Sequence, residues 1–123
     1  MQVVLDNIRS CYNVGAILRS AEGFGVERVV LSGYTPRVHD ENLLPHLRNK
    51  LDREIHKTAL GAEDMLDIYS CGDIKHELLE LKSQGWQIIG LENNIKDKRL
   101  FVQYLQCGVY ACHKALSSSF LIA

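Results

Sequence analysis

The fold is decided by residues 2–31, which read QVVLDNIRSCYNVGAILRSAEGFGVERVVL. Residues 2–5 are a short apolar run rich in β-branched side chains, which predicts a buried strand. Apolar residues then recur at positions 14, 17, 18 and 21, the spacing of one helix face. Residues 27–31 predict a second buried strand. A strand, a helix and a strand in this order predict a parallel βαβ unit with a right-handed crossover.

Short polar residues and glycines mark the two ends of the predicted helix. Its start follows a group of side chains suited to a capping loop, namely Asp6, Asn7, Ser10 and Asn13. Gly23 and Gly25 come after the last apolar position and predict the end of the helix. The loop before this helix is therefore expected to carry polar side chains close to the end of the first strand.

The remaining chain also has an α/β pattern. We expect a loop with a short helix over residues 34–53 and a third short strand within residues 55–63. Asp73 is expected to cap a further helix that ends at Gly85. Residues 86–91 are nearly all apolar, which is typical of an interior parallel strand. The predicted fold class is α/β, with a parallel sheet flanked by helices.

The composition and charge of the whole chain argue against several classes of protein. The 123 residues carry a formal net charge of -1, which argues against broad binding of polyanions but permits a local basic patch. No apolar run reaches the roughly 18 residues of a membrane span, and no secretion signal is expected at the N-terminus. The four cysteines lack disulfide-framework spacing, so we expect reduced thiols and a cytoplasmic location. The histidines and cysteines show no metal-ligand spacing, and an aromatic content of 7% predicts no stacking platform.

The C-terminal residues differ in character from the rest of the chain. Residues 100–123 carry a single charged side chain, that of Lys114, and end on four mostly apolar residues, Phe-Leu-Ile-Ala. We therefore expect a domain over residues 1–99 and a divergent apolar tail over residues 100–123. An apolar end also suggests a truncated or altered C-terminus, because chain termini are usually exposed to water.

Three motifs occur in one order along residues 2–93. The first is Asn-x-Gly-x-x-x-Arg on the first helix, here Asn13, Gly15 and Arg19. The second is Lys-Thr-Ala-Leu-Gly-Ala-Glu, here residues 57–63. The third is a strand that ends in Leu91-Glu92. Together the three motifs resemble the SpoU family of RNA methyltransferases, within the SPOUT superfamily, and three motifs in order are more specific than one glycine pattern.

The resemblance implies a trefoil-knotted α/β fold, often dimeric, that uses S-adenosylmethionine to methylate a ribose 2′-hydroxyl in tRNA or rRNA. It makes Arg19 the catalytic arginine, which we interpret as orienting the hydroxyl and stabilising charge, since a guanidinium hardly ever deprotonates. Asn13 would hold the loop and contact the target nucleotide, with Arg9 and Gly15 as further substrate contacts. Leu91 and Glu92 would contact the methyl donor.

The match ends after Asn94. The family pattern continues with a Gly-x-Glu-x-x-Gly loop, an Ile-Pro-Met-x-Gly segment and a Ser-Leu-Asn-Val helix start, and none of these follows. The resemblance is therefore to the front part of the family domain, without the segments that enclose the donor. Two alternatives to an active methyltransferase stay open. The chain could be a catalytically silent truncated variant, or a small RNA-binding module that keeps its N-terminal arginines.

Each motif residue also has a purely structural interpretation. Asn13 beside a helix start is often a cap. Arg19 on an amphipathic helix is usually solvated. Gly15 could mark close packing of the backbone. The conjunction of motifs favours the functional interpretation over these local ones.

Overall fold

The computed structural model describes residues 1–91 and 108–114. Its strands are β1 (Gln2–Asp6), β2 (Arg28–Ser32), β3 (Asp67–Ser70), β4 (Trp86–Leu91) and β5 (Gly108–Lys114). Its helices are α1 (Cys11–Gly23), α2 (Pro45–Ala59) and α3 (Ile74–Ser83), with a short 3-10 turn over Ala62–Asp64.

The βαβ unit over β1, α1 and β2 is confirmed. β1 and β2 pair in parallel, with Gln2 opposite Arg28 at one end. Ser10 is the N-cap of α1, and its Oγ accepts a hydrogen bond from the backbone N–H of Asn13 at 3.2 Å. Gly25 has a positive φ of 67° just beyond the helix, a conformation that glycine adopts without strain. Local signals in the sequence therefore set both ends of α1.

The five strands form one mixed sheet in the order β3-β2-β1-β5-β4. β1, β2 and β3 are parallel, whereas β5 is antiparallel to both of its neighbours, β1 and β4. The predicted α/β class is confirmed, but the prediction of a purely parallel sheet is wrong because β5 runs the other way. β4 was predicted to be interior, yet it lies at an edge of the described sheet and exposes Ile89 and Leu91.

β5 belongs to the segment that the sequence sets apart as a tail. Its residues occupy an interior position of the sheet, and Tyr110 and Cys112 are buried there. The proposed boundary between residues 99 and 100 stays a prediction, because residues 92–107 lie outside the described part of the chain.

The prediction of a strand within residues 55–63 is wrong. These residues form the last turns of α2 and the 3-10 turn, while the third strand lies further on, at β3. The short helix expected before residue 53 instead extends to Ala59, because Leu51, Ile55 and Ala59 recur at helical spacing on its packed face. Pro45 begins this helix at a position that does not need its missing N–H.

The sheet has helices on both faces. On one face, α1 and α2 cover side chains such as Leu5 and Leu31; on the other, α3 packs with Leu78 and Leu81 against Val4. Successive strand residues point to opposite faces, which divides the buried residues into these two clusters. No helix in residues 1–91 and 108–114 is long and apolar enough to cross a membrane. β1, β2, β3 and β4 all end at the same edge, hereafter the carboxyl edge.

Candidate active site

Two loops meet at the carboxyl edge, one after β1 and one after β2. Asn7 has a left-handed backbone with φ 53°, and its Oδ1 accepts a hydrogen bond from the backbone N–H of Tyr34 at 3.2 Å. Gly33 also has a positive φ, of 60°, and a Cβ there would lie 1.8 Å from Asn7 Oδ1. A side chain at Gly33 would therefore force the two loops apart.

A second set of hydrogen bonds joins the same loops. The buried Thr35 hydroxyl donates to the carbonyl of Leu5 at 3.1 Å and accepts from the backbone N–H of Ile8 at 3.1 Å. Ser32 Oγ donates to Asp6 Oδ1 at 2.5 Å, and both residues are buried. Because buried polar groups are costly to leave unpaired, these bonds hold the β1–α1 loop in one position against β2.

Asn13 lies in the first turn of α1, directly after this loop, and is exposed. Ser10 caps the helix, so the structural interpretation of Asn13 as the cap is wrong. Its side-chain amide is therefore not needed to start α1, although its backbone N–H is used. The predicted contact between Asn13 and the target nucleotide stays a prediction.

Arg19 lies six residues, less than two turns, further along α1. Its side chain is 53% exposed and pairs with Glu22, with 3.4 Å between Nη1 and Oε2. Six residues of α-helix separate Arg19 from Asn13 by about 9 Å along the axis and by roughly 120° around it. One copy of α1 therefore presents the two predicted site residues on different faces.

Gly15 lies where α1 crosses α2. A Cβ at Gly15 would be 2.1 Å from Thr58 Oγ1 and 2.3 Å from the carbonyl oxygen of Ile55. Thr58 Oγ1 donates to the carbonyl of Tyr12 at 2.8 Å, so the helices are also joined by a hydrogen bond at this crossing. The structure gives Gly15 a packing role, and its predicted RNA contact stays a prediction.

The second motif, residues 57–63, forms the end of α2 and the turn that follows. Leu60 and Gly61 have positive φ values of 54° and 96°, and they reverse the chain. The buried Glu63 carboxylate then accepts hydrogen bonds from the backbone N–H of Gly61 at 2.9 Å and from His56 Nδ1 at 2.5 Å. Burial disfavours the charged form, but these hydrogen bonds outweigh it and hold the pKa of Glu63 below its ordinary value of 4.5.

The pH dependence of stability should reflect Glu63. A pKa lower in the folded than in the unfolded chain stabilises the fold above the unfolded value, and this contribution is lost as the pH falls through the folded value. We expect the free energy of unfolding to fall more steeply from about pH 6 to about pH 3 in the wild type than in Glu63→Gln. Urea unfolding followed by circular dichroism measures this. Glu41→Gln, which removes an exposed carboxylate, serves as the control; equal slopes in wild type and Glu63→Gln would contradict the assignment.

Leu91 ends β4 at the carboxyl edge and is 59% exposed. Val109 of β5 pairs with Leu91 on one side and with Leu5 of β1 on the other, so all three lie at the same level of the sheet. Ligands of α/β sheets bind outside the carboxyl ends of strands, which is where Leu91 lies. Its predicted contact with the methyl donor stays a prediction. Glu92, the second predicted donor contact, lies outside the described residues.

Arg9 projects from the β1–α1 loop over the ring of Tyr34, with 5.7 Å from its Cζ to the ring centroid. Arg9 was predicted as a substrate contact, and that contact stays a prediction, whereas Tyr34 was not singled out from the sequence. The aromatic content of 7% predicted no stacking platform, but composition does not show where the aromatic residues lie. The position of Tyr34 in the sequence could have drawn attention to it, because it directly follows Ser32-Gly33 at the end of a predicted strand. Within the described ranges, no group of three or more potential ligands could hold a metal ion.

Comparison with known families supports the motif assignment. A family model described as the SpoU rRNA Methylase family matches residues 1–115. The chain belongs to this family. The match includes Asn13, Gly15 and Arg19 on α1, the motif at residues 57–63, and β5.

Several curated members of the SpoU family are similar to this chain. The 23S rRNA (guanosine-2′-O-)-methyltransferase RlmB of Nitrosomonas europaea is 32% identical over 77% of this chain and 32% of its own length. The human mitochondrial rRNA methyltransferase 1 is 33% identical over 72% of this chain and 22% of its own length. The chain thus spans about a third or less of the length of these two relatives. Among solved structures, a TrmH/SpoU tRNA modifying enzyme from A. aeolicus matches 68% of this chain and 36% of that chain, with a TM-score of 0.49 and 19% identity.

Proposed function

We propose that this chain takes part in the S-adenosylmethionine-dependent methylation of a ribose 2′-hydroxyl in rRNA or tRNA. The observation that carries the proposal is the family match over residues 1–115. Relatives named as guanosine-2′-O-methyltransferases support the choice of the ribose hydroxyl as acceptor. The 2′-hydroxyl is also the group by which a protein distinguishes RNA from DNA.

The chemistry requires a positioned hydroxyl and stabilisation of negative charge. A ribose hydroxyl is a weak nucleophile, so holding it in line with the methyl group supplies much of the rate. In this proposal the exposed amide of Asn13 contacts the target nucleotide and Arg9 binds a neighbouring phosphate, for which a guanidinium fork is well suited. Arg19 orients the hydroxyl and stabilises its developing charge. Because Arg19 and Asn13 lie on different faces of α1, in the homodimer proposed below Arg19 of one copy would act on the nucleotide that the other copy binds.

S-adenosylmethionine supplies the methyl group when it is bound. We propose that Leu91 and Glu92 contact it, and the exposure of Leu91 at the carboxyl edge supports the apolar part of that contact. We also propose a homodimer, which the family resemblance implies. A cytoplasmic location, expected from the sequence, is part of the same proposal.

The proposal is tested by following a tritiated methyl group from S-adenosylmethionine into unmodified rRNA or tRNA transcripts. Alkaline hydrolysis needs a free 2′-hydroxyl, so 2′-O-methylation leaves the label in alkali-resistant dinucleotides. Methylation of a base would instead leave it in mononucleotides. We expect the label in dinucleotides, and label in mononucleotides alone would contradict the proposal.

A calorimetric titration with S-adenosylmethionine, without RNA, separates the remaining alternatives. Saturable one-to-one binding by the folded chain supports an active enzyme. A folded chain that neither binds the donor nor transfers methyl groups would be the catalytically silent variant. Tight RNA binding without donor binding would identify the RNA-binding module, whose phosphate contacts give a steep salt dependence.

A further inference from the structure

Arg9 and Tyr34 form an exposed cation–aromatic pair at the carboxyl edge. The Arg9 guanidinium carbon lies 5.7 Å from the ring centroid, within the range of a cation–π contact. Tyr34 is 56% exposed, so its ring is not a core residue. Arg9 is exposed as well. The pair therefore presents an aromatic ring and a positive charge to an external ligand.

The position of Tyr34 is fixed by its backbone rather than by burial of its ring. Its N–H donates to Asn7 Oδ1 at 3.2 Å, and the next residue, Thr35, is buried and bonded to Leu5 and Ile8. Because the backbone is already held, binding a ligand costs only the side-chain freedom of the ring, about 0.5–1.5 kcal/mol. This arrangement is suited to recognition.

Arg9 differs from Arg19 and Arg28 in how its charge is compensated, whereas Arg37, Arg48 and Arg53 resemble it in having no ion pair among the described residues. Arg19 pairs with Glu22, and Arg28 pairs with Asp67 at 2.7 Å. In the part of the chain that the structure describes, no carboxylate lies within 4.0 Å of the Arg9 guanidinium. Its N–H groups can therefore bind an anionic ligand without first breaking an ion pair.

We propose that Tyr34 and Arg9 bind single-stranded RNA beside the target nucleotide, with a base stacked on Tyr34 and the adjoining phosphate bound by Arg9. The inference rests on the proposed function and adds Tyr34 as a positioning residue. Aromatic rings stack on unpaired bases of any sequence, whereas a duplex hides the faces of its bases. Arg9 directly precedes the N-cap Ser10, and Asn13 lies in the first turn of α1. In this proposal the stacked nucleotide would therefore adjoin the one that Asn13 contacts.

The test is fluorescence anisotropy of the full chain with a fluorescein-labelled single-stranded RNA of mixed sequence. Tyr34→Leu is expected to weaken binding by about 5- to 150-fold, the range of one base–aromatic stack, while Tyr34→Phe keeps the ring and stays within about 2-fold of the wild type. Arg9→Gln is expected to weaken binding and to reduce the slope of log K against log salt by about 0.7, the value for one phosphate contact on a single strand.

Two matched controls remove the same groups elsewhere. Phe24→Leu removes an aromatic ring that is 80% exposed at the opposite end of α1. Arg28→Gln removes an arginine that also lies over a tyrosine ring, at 5.3 Å from Tyr69, but that is already paired with Asp67. Both controls are expected to bind RNA as the wild type does, with unchanged circular dichroism spectra.

The outcomes separate this inference from the proposed function. Wild-type affinity in both Tyr34→Leu and Arg9→Gln would overturn the inference while leaving methyl transfer unaffected. A wild-type chain that binds no RNA would overturn it as well. Binding that depends on Tyr34 in a chain that transfers no methyl group would support the inference and contradict the proposed function.

Discussion

Replacing Gly15 by alanine is expected to lower the free energy of unfolding by about 2–4 kcal/mol, from overpacking and a lost hydrogen bond together. The added Cβ would lie 2.1 Å from Thr58 Oγ1 and 2.3 Å from the backbone oxygen of Ile55. The threonine could rotate, but it would then give up its bond to the carbonyl of Tyr12. The backbone of α2 cannot move without disturbing Ile55 and Ala59, which are fully buried.

Gly23→Ala is the matched control, since both glycines lie on α1. A Cβ at Gly23 meets nothing within 4 Å, and the backbone there needs no positive φ. Alanine is favoured over glycine in a helix, so we expect Gly23→Ala to be neutral or to stabilise by up to about 1 kcal/mol. Urea unfolding followed by circular dichroism compares the two variants. Equal stability changes would contradict a packing role for Gly15.

Local patterns in the sequence were sufficient for the βαβ unit over residues 2–32. In β1, α1 and β2, the apolar spacing, the polar capping loop and the terminal glycines all favour the same elements, and the structure agrees. The same holds for α3, where Asp73 accepts hydrogen bonds from the backbone N–H groups of Lys75 and His76, as a capping aspartate does. These signals act over a few residues, so they can be recognised without knowledge of the rest of the chain.

The errors lie where distant contacts decide the structure. α2 continues through residues 55–59 because it packs on α1, a partner about forty residues earlier. β5 occupies an interior position of the sheet because it pairs with β1, from which it is separated by about one hundred residues. No feature near residue 110 shows that partner or its antiparallel direction. In the described sheet the same pairing leaves β4 at the edge, although its apolar sequence predicts an interior strand.

In the candidate site, too, local sequence signals predicted some features, whereas contacts between distant residues decided others. Asn13 and Arg19 were found from a motif, and the capping group around Ser10 was placed in the correct loop. The bonds that fix this loop could not be predicted, because Thr35 reaches Leu5 and Ile8 across about thirty residues. The structure also decides between local interpretations. It assigns the cap to Ser10 and close packing to Gly15, and it leaves the amide of Asn13 exposed.

On the proposed function, Arg19→Ala is expected to reduce methyl transfer to RNA by about 100- to 1,000-fold, the effect of removing one group that stabilises transition-state charge. Stability should change little, because the pair with Glu22 is exposed and such pairs contribute about 0–1 kcal/mol. A loss of activity without a loss of stability is therefore the expected signature. Initial rates with tritiated S-adenosylmethionine, together with urea unfolding of the same samples, measure both.

Two further variants separate the charge of Arg19 from its shape. Arg19→Lys keeps the charge but loses the planar fork, so an intermediate rate is expected if the side chain both orients the hydroxyl and stabilises charge. Glu22→Gln removes the carboxylate that pairs with Arg19 in the free protein. Because this frees the guanidinium for RNA, its rate should equal or exceed that of the wild type. An Arg19→Ala variant that transfers methyl groups at the wild-type rate would remove Arg19 from the mechanism, and the search for the charge-stabilising group would then turn to Arg9.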